Sequence, residues 1–157
     1  MTTVKDHPGV IVPPPLIFVA FLGVGLAVDF FAFRVASGLP AGGRYAAAVA
    51  LAVVALLLGF GALFRFRRAG TNPEPWRPTT AIVTSGVYRF TRNPMYLGMV
   101  LLYAAIAVAA DSVVALVLLV PLLVVIRYGV IAREERYLVA KFGDEYRRYQ
   151  ASVRRWL

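Results

Sequence analysis

Four apolar runs, almost free of charge, govern what this chain can fold into. Leu16–Phe33 is 18 residues long with Asp29 as its one acidic group, and Tyr45–Phe64 is 20 residues with no charge at all. Met95–Ala110 adds 16 residues and Val113–Ile126 another 14, parted only by Asp111-Ser112. A helix crosses a bilayer with about 20 residues, within a range of roughly 17–25. The first two runs meet that requirement outright. The last two, read as one helix, would be about 48 Å long at 1.5 Å per residue, against a hydrocarbon core of about 30 Å. A tight hairpin at Asp111-Ser112 resolves the excess. Each arm then borrows length from its polar flank, with Arg127 snorkelling to the interface, and Pro121 is expected to kink the fourth run.

Composition supports a bilayer as the solvent. Hydrophobic side chains make up 60% of the chain and charged ones 16%, where globular domains run at about 45–50% apolar and about 25% charged. The expectation is one all-α integral membrane domain over residues 1–157, with four transmembrane helices and an amphipathic C-terminal helix on the cytoplasmic side. Zero cysteines exclude disulfides, thiolate metal sites and a cysteine nucleophile. With His7 as the single histidine, no metal site and no Ser–His–Asp relay is expected. Chemistry must come from carboxylates, arginines, tyrosines, backbone groups or a bound cofactor.

The net charge of +9 would raise nucleic acid as a partner of a soluble protein. Here it reads as topology, and no nucleic-acid partner is expected. Fourteen of the 17 basic residues fall in two segments, between the second and third runs and after the fourth. With four spans those segments share a side, so both termini are expected in the cytoplasm. Arg34 and Arg44, in the first outer loop, run against the bias. The first run also has the alternative of a cleaved signal peptide, against which stand its length, the single Lys5 before it and Pro13-Pro14-Pro15. Arginine outnumbers lysine 15 to 2 in an Ala/Val/Leu-rich chain, a composition that suggests a bacterial gene and hence the inner membrane.

Beyond the fourth run, Gly143 reads as a helix C-terminal glycine and Asp144 as the cap of the next helix. Phe142, Tyr146, Tyr149, Val153 and Trp156 recur at helical spacing opposite Arg147, Arg148 and Arg155. That stripe describes either a helix lying in the interface or one packed against the cytoplasmic loop.

Polar residues with specific spacing gather in two places. One is Thr84-Ser85-Gly86-Val87-Tyr88 followed by Arg92-Asn93-Pro94-Met95-Tyr96-Leu97-Gly98, and the other is Glu134-Glu135 followed by Phe142-Gly143-Asp144-Glu145-Tyr146. The hairpin makes them neighbours at the cytoplasmic membrane surface. Pro94 at a first-turn position opens a helix whose free N–H groups favour an anion, and the carboxylate pair opposite suits a cation or ribose hydroxyls. Singly, each group has a plainer reading. Glu134 and Glu135 fit a solvated charged turn, Tyr88 and Tyr96 interfacial belt aromatics, Arg92 a positive-side anchor, and Asp29 a group reaching water or Arg34.

Taken in order over residues 80–150, these motifs resemble the isoprenylcysteine carboxyl methyltransferase family, whose layout the phospholipid N-methyltransferases share. The resemblance implies a membrane enzyme that uses S-adenosylmethionine without a Rossmann domain, in keeping with the missing glycine-rich fingerprint. It implies a cofactor region over residues 80–98 and 127–150. The cofactor-binding residues it implies are Thr80, Ala81, Ile82, Val83, Tyr88, Asn93, Pro94, Met95, Tyr96 and Glu134. Thr80 and Asn93 stand where the family has histidines, and Val130 where it has a substrate-contacting arginine. Arg127, seven residues before Glu134 and so on the same face of a regular helix, is the substitute expected. Arg92, Arg127 and Glu134 are therefore the candidate catalytic residues, the arginines orienting an anionic acceptor. The acceptor implied is lipophilic and enters from the bilayer, either a prenylcysteine-like carboxylate or, in a bacterial chain, another lipid or amphiphile. A transporter subunit or an assembly factor remains the non-enzymatic alternative.

Overall fold

The structure, a computed structural model, describes residues 6–157 and is helical throughout its regular elements. The helices are α1 (Pro14–Phe31), α2 (Ala41–Arg68), α3 (Pro94–Ala109), α4 (Val113–Val125), α5 (Ala132–Phe142) and α6 (Asp144–Ser152). A single 3-10 turn, Gly86–Arg89, precedes α3, and a π-helical segment, Ile126–Ile131, joins α4 to α5 without a break. Three helices are long and apolar enough to cross a membrane: α1, α2 and the continuous Val113–Phe142. The α3 helix is apolar but only 16 residues long.

The first helix begins two residues before the apolar run and ends two residues short of it. Pro14 and Pro15 start it because a proline at the first turn forfeits no helical hydrogen bond. The expected hairpin between the third and fourth runs is present, and its construction is local. Asp111 adopts φ 56°, a left-handed conformation that Asp tolerates. Asp111 N–H reaches Val108 O at 3.1 Å and Ser112 N–H reaches Ala107 O at 2.9 Å, the paired bonds of a Schellman ending. Ser112 then caps α4 by accepting from Ala115 N–H at 3.0 Å. Two residues thus both close one helix and open the next. The α4 helix runs on through Pro121 as a continuous helix.

Along α2 small residues face inward and large ones outward, whereas Phe18, Tyr103, Leu122 and Ile126 fill the core between α1, α3 and α4. The buried residues of α2 are Ala48, Ala55 and Ala62, seven apart on one face, whereas Val49, Val53, Leu57 and Phe60 are exposed. Helices with lipid on the outside pack by close backbone approach across such small-residue faces. The α2 helix packs chiefly on α3, and α1 on α4. At the second seam Gly25 lies so close that a Cβ there would sit 2.7 Å from Ala115 Cα.

The end of the bundle away from the glutamates carries a polar latch. Asp111 accepts from Ser37 N–H at 3.0 Å and pairs with Arg44 at 3.1 Å. Arg44, which ran against the charge bias, is thereby matched. Asp29, expected to reach water or Arg34, instead accepts from the Ser112 hydroxyl and has its other oxygen buried, because α1 lies against the start of α4.

Two corrections concern the tail. Gly143, at φ 55°, both ends α5 and occupies the N-cap of α6, so Asp144 is the first residue inside that helix and pairs with Arg147 at 3.1 Å. The α6 helix stops at Ser152, where Val153 turns extended, so the aromatic stripe is not one helix face through Trp156. Tyr146 and Tyr149 are buried against Val83 and Tyr88. The stripe packs on the segment that carries Val83 and Tyr88, in keeping with the second of its two readings.

Candidate active site

The two polar clusters meet in one cavity at the end of the bundle where α3 begins and α5 continues α4. It encloses about 100 Å³ and is partly open to solvent. Phe66, Ala81, Ile82, Val83, Tyr88, Met95, Tyr96, Leu138, Tyr146 and Tyr149 form an apolar and aromatic lining, into which Arg92, Asn93, Glu134 and Glu135 bring polar atoms. Gly86 makes the turn that delivers Tyr88. Its φ of 65° suits glycine, and a Cβ there would collide with the Arg65 guanidinium at 2.5 Å. Tyr88 is buried, stacks edge-on against Phe66 at 5.6 Å, and receives the Tyr149 hydroxyl on its carbonyl at 2.7 Å. Burial pushes its phenol above the usual range.

The adjacent glutamates occupy opposite electrostatic situations. Tyr96 Oη donates to Glu134 Oε1 at 2.5 Å, and no salt bridge reaches that carboxylate among the described residues. Glu134 lies beyond the apolar Val113–Ile126 stretch, in the charged 133–136 part of the helix. Burial raises its carboxyl to about 7; the Tyr96 hydrogen bond opposes that rise and the neighbouring Glu135 charge adds to it. Glu135 is instead gripped by two guanidiniums. Arg92 Nη2 meets Oε1 at 2.9 Å, and Arg155 donates Nε to Oε1 at 3.0 Å and Nη2 to Oε2 at 2.6 Å.

Arg92 is thereby committed to architecture. Besides Glu135, its Nη1 donates to the carbonyls of Gln150 at 2.7 Å and Val153 at 2.9 Å, and its backbone N–H to Arg154 O at 2.9 Å. Thr91 Oγ1 and Asn93 Nδ2 both donate to Arg155 O, at 3.1 and 2.9 Å. Residues 91–93 thus clamp the segment after α6, and the Asn93 side chain serves that clamp without capping α3.

Three expected site residues stand elsewhere. Thr80 braces a loop, its N–H on Thr71 Oγ1 at 2.9 Å and its hydroxyl on Gly70 O at 3.2 Å. Pro94 is buried as the first residue of α3. Arg127 stacks over Tyr128 and lines a separate open groove with Leu97, Val100, Val120, Leu123, Val124 and Trp156. The seven-residue spacing that put it on the Glu134 face assumed 3.6 residues per turn. The intervening residues are π-helical, with i→i+5 bonding, so each turn holds an extra residue and the two side chains fall out of phase.

Sequence reasoning missed the cover of the cavity. Pro8, from the segment before α1, and Asn72, Pro73, Glu74, Pro75 and Thr79, from the α2–α3 connection, complete its wall. Tyr137 fastens both pieces: its hydroxyl donates to Asp6 Oδ1 at 2.9 Å and accepts from Thr79 N–H at 3.2 Å. Lys141 pairs with Asp6 at 2.6 Å, and Arg133 Nη1 donates to Gly9 O at 3.0 Å. The length of the 65–94 connection and its prolines mark a functional or disordered loop without saying what it covers; the pairing of residues 6–9 with α5 left no local signal.

Such a chamber, anionic and aromatic at the water-facing end of apolar helices, suits a cationic or amphiphilic ligand. An uncharacterized protein of Haemophilus influenzae is 46% identical over 63 residues, which is 40% of this chain and the whole of that protein. No solved structure matches the chain. The family model described as phospholipid methyltransferase matches residues 43–145, a stretch holding α2 to α5 and most of the chamber wall, and the chain belongs to that family.

Proposed function

We propose that the protein is an S-adenosylmethionine-dependent methyltransferase acting on a membrane-partitioned lipid, with four spans and with the chamber on the cytoplasmic side of a bacterial inner membrane. The observation that carries this reading is Glu134, a carboxylate held by Tyr96 alone inside an aromatic chamber, in a chain of the phospholipid methyltransferase family. When bound, the cofactor supplies an electrophilic methyl group on a positively charged sulfur. Glu134 and the faces of Tyr88, Tyr96 and Tyr146 offer that cation a negative and polarisable surface. Ala81, Ile82, Val83 and Met95 supply apolar walls for an adenosyl group. Closing residues 8 and 72–75 over it excludes water, and holding two reactants in register is the larger part of what such an enzyme contributes.

For the acceptor, the chamber favours an amine over the prenylcysteine carboxylate. Arg92 is the one basic residue among those lining it, and its two terminal nitrogens are already held by Glu135 and two carbonyls, which leaves its buried Nε without a partner among the described residues. An amine nitrogen that takes the methyl group must shed a proton, and Glu134, raised to about 7, is suited to receive it. The groove carrying Arg127 at one side, apolar and open between α3 and α4, suits the tail and phosphate of such a lipid. Asn93 and Pro94 contribute by placing Tyr96.

Isothermal titration of S-adenosylhomocysteine against detergent-purified protein tests the cofactor. Binding is expected, and Glu134→Ala should weaken S-adenosylmethionine, whose sulfur is charged, more than S-adenosylhomocysteine, whose sulfur is neutral. Wild-type affinity for both in that variant would remove Glu134 from the site. Radiolabelled methyl transfer to aminolipids and to prenylcysteines separates the acceptor classes, with the aminolipid expected to be labelled.

A further inference from the structure

The wall of the chamber contains a second carboxylate without an ion-pair partner among the described residues. Glu74 lies between Pro73 and Pro75 in the α2–α3 connection, and its Oε2 is buried with no hydrogen-bond partner among the described residues. Its position is built by its surroundings. The flanking prolines fix two backbone angles, Thr71 and Thr80 tie the neck of the loop, and Thr79 holds its far end to Tyr137 on α5. A carboxylate oxygen shut away from water without a partner carries a desolvation cost that a cation returns. No cation pairs with it among the described residues, and the two terminal nitrogens of Arg92 are held by Glu135 and two carbonyls. With Glu135 neutralised between Arg92 and Arg155, the chamber retains two uncompensated acidic groups, Glu134 and Glu74.

We infer that Glu74 is a cofactor-recognition residue, receiving the α-ammonium of S-adenosylmethionine as the loop closes over the chamber. This rests on the cofactor reading above and assigns Glu74 a role distinct from that of Glu134. A ribose hydroxyl would satisfy the oxygen but not the charge. A charged donor makes the stronger bond, and the cofactor's amino-acid end carries one.

The test compares S-adenosylhomocysteine with its analogue lacking the α-amino group, by titration against wild type and E74Q. Wild type should bind the parent compound roughly ten- to a hundredfold more tightly than the analogue, and E74Q should bind both with the weaker affinity. Two results overturn the inference while leaving the cofactor reading intact. One is E74Q binding the parent compound like wild type. The other is E74Q weakening parent and analogue equally, which assigns Glu74 to the ribose. The wild-type comparison of the two compounds needs no variant and stands even if E74Q fails to fold: equal affinities there also overturn it. Absence of any binding to wild type would instead overturn the cofactor reading itself.

Discussion

Glu134 and Glu135 are consecutive on α5, and the difference between them is made by residues distant in the chain. Glu134 meets Tyr96 and the chamber, while Glu135 meets Arg92 and Arg155. The raised carboxyl of Glu134 has a consequence for stability. Its ordinary value is 4.5 and its folded value about 7. Between these limits the unfolded chain has released a proton that the folded chain still holds, so stability falls as pH rises through that window and is full below it. Melting of the ligand-free protein across a pH series should show that decline, and E134Q should flatten it. A parallel decline in E134Q would assign the slope to another group. At this scale the sequence was legible where the motif residues were local. Tyr88, Met95, Tyr96 and Glu134 were spaced as a set, and all face the cavity. The grip of Arg92 and Arg155 on Glu135 was not legible, since it depends on the segment after α6 folding back on residues some sixty positions earlier. Glu74 was passed over because nothing in a Pro-Glu-Pro stretch says which way its carboxylate turns.

The helices themselves were read closely because apolar runs, prolines and the Asp111-Ser112 interruption are all short-range signals. Two element-level features escaped. The π-helical segment rotates everything beyond it relative to α4, which is why Arg127 parted from Glu134. The other is the seam between α1 and α4, whose tightness depends on one of two nearby glycines. A Cβ at Gly25 would press on Ala115 backbone at 2.7 Å, whereas one at Gly23 meets nothing within 4 Å. Gly25→Ala should therefore lower stability by about 1–3 kcal/mol through overpacking, with Gly23→Ala neutral in the same thermal unfolding series. Equal effects would mean the seam is looser than the geometry states. The short α3 is the element on which topology turns. If it spans with α4 as a hairpin, reporters placed at residues 38 and 111 should read outside and those at residues 75 and 144 inside. A reporter at 111 reading inside would reduce the spans to three.

Across the molecule, polar residues concentrate at the two ends of the bundle and small ones line the inward face of α2 between. One end holds the Asp111 latch and the other the chamber. The chamber is closed by two fastenings of different character. The Glu135 pair with Arg92 is enclosed, its side chains being 11% and 10% exposed, whereas the Asp6–Lys141 pair joins side chains 58% and 27% exposed.

Ionic strength should therefore reach one fastening and spare the other. Salt shortens the range of exposed charges from about 10 Å at 0.1 M to about 3 Å at 1 M and screens enclosed pairs far less. The arm at Asp6 to Gly9 would loosen in concentrated salt while the Glu135 centre held, so ligand exchange quickens without any matching fall in the melting midpoint. Stopped-flow release of bound S-adenosylhomocysteine, measured from low to high salt, should accelerate in wild type and lose most of that dependence in Asp6→Asn. On the proposed function, a cell that raises its internal salt under osmotic stress would turn over S-adenosylmethionine faster on a protein whose fold has not changed.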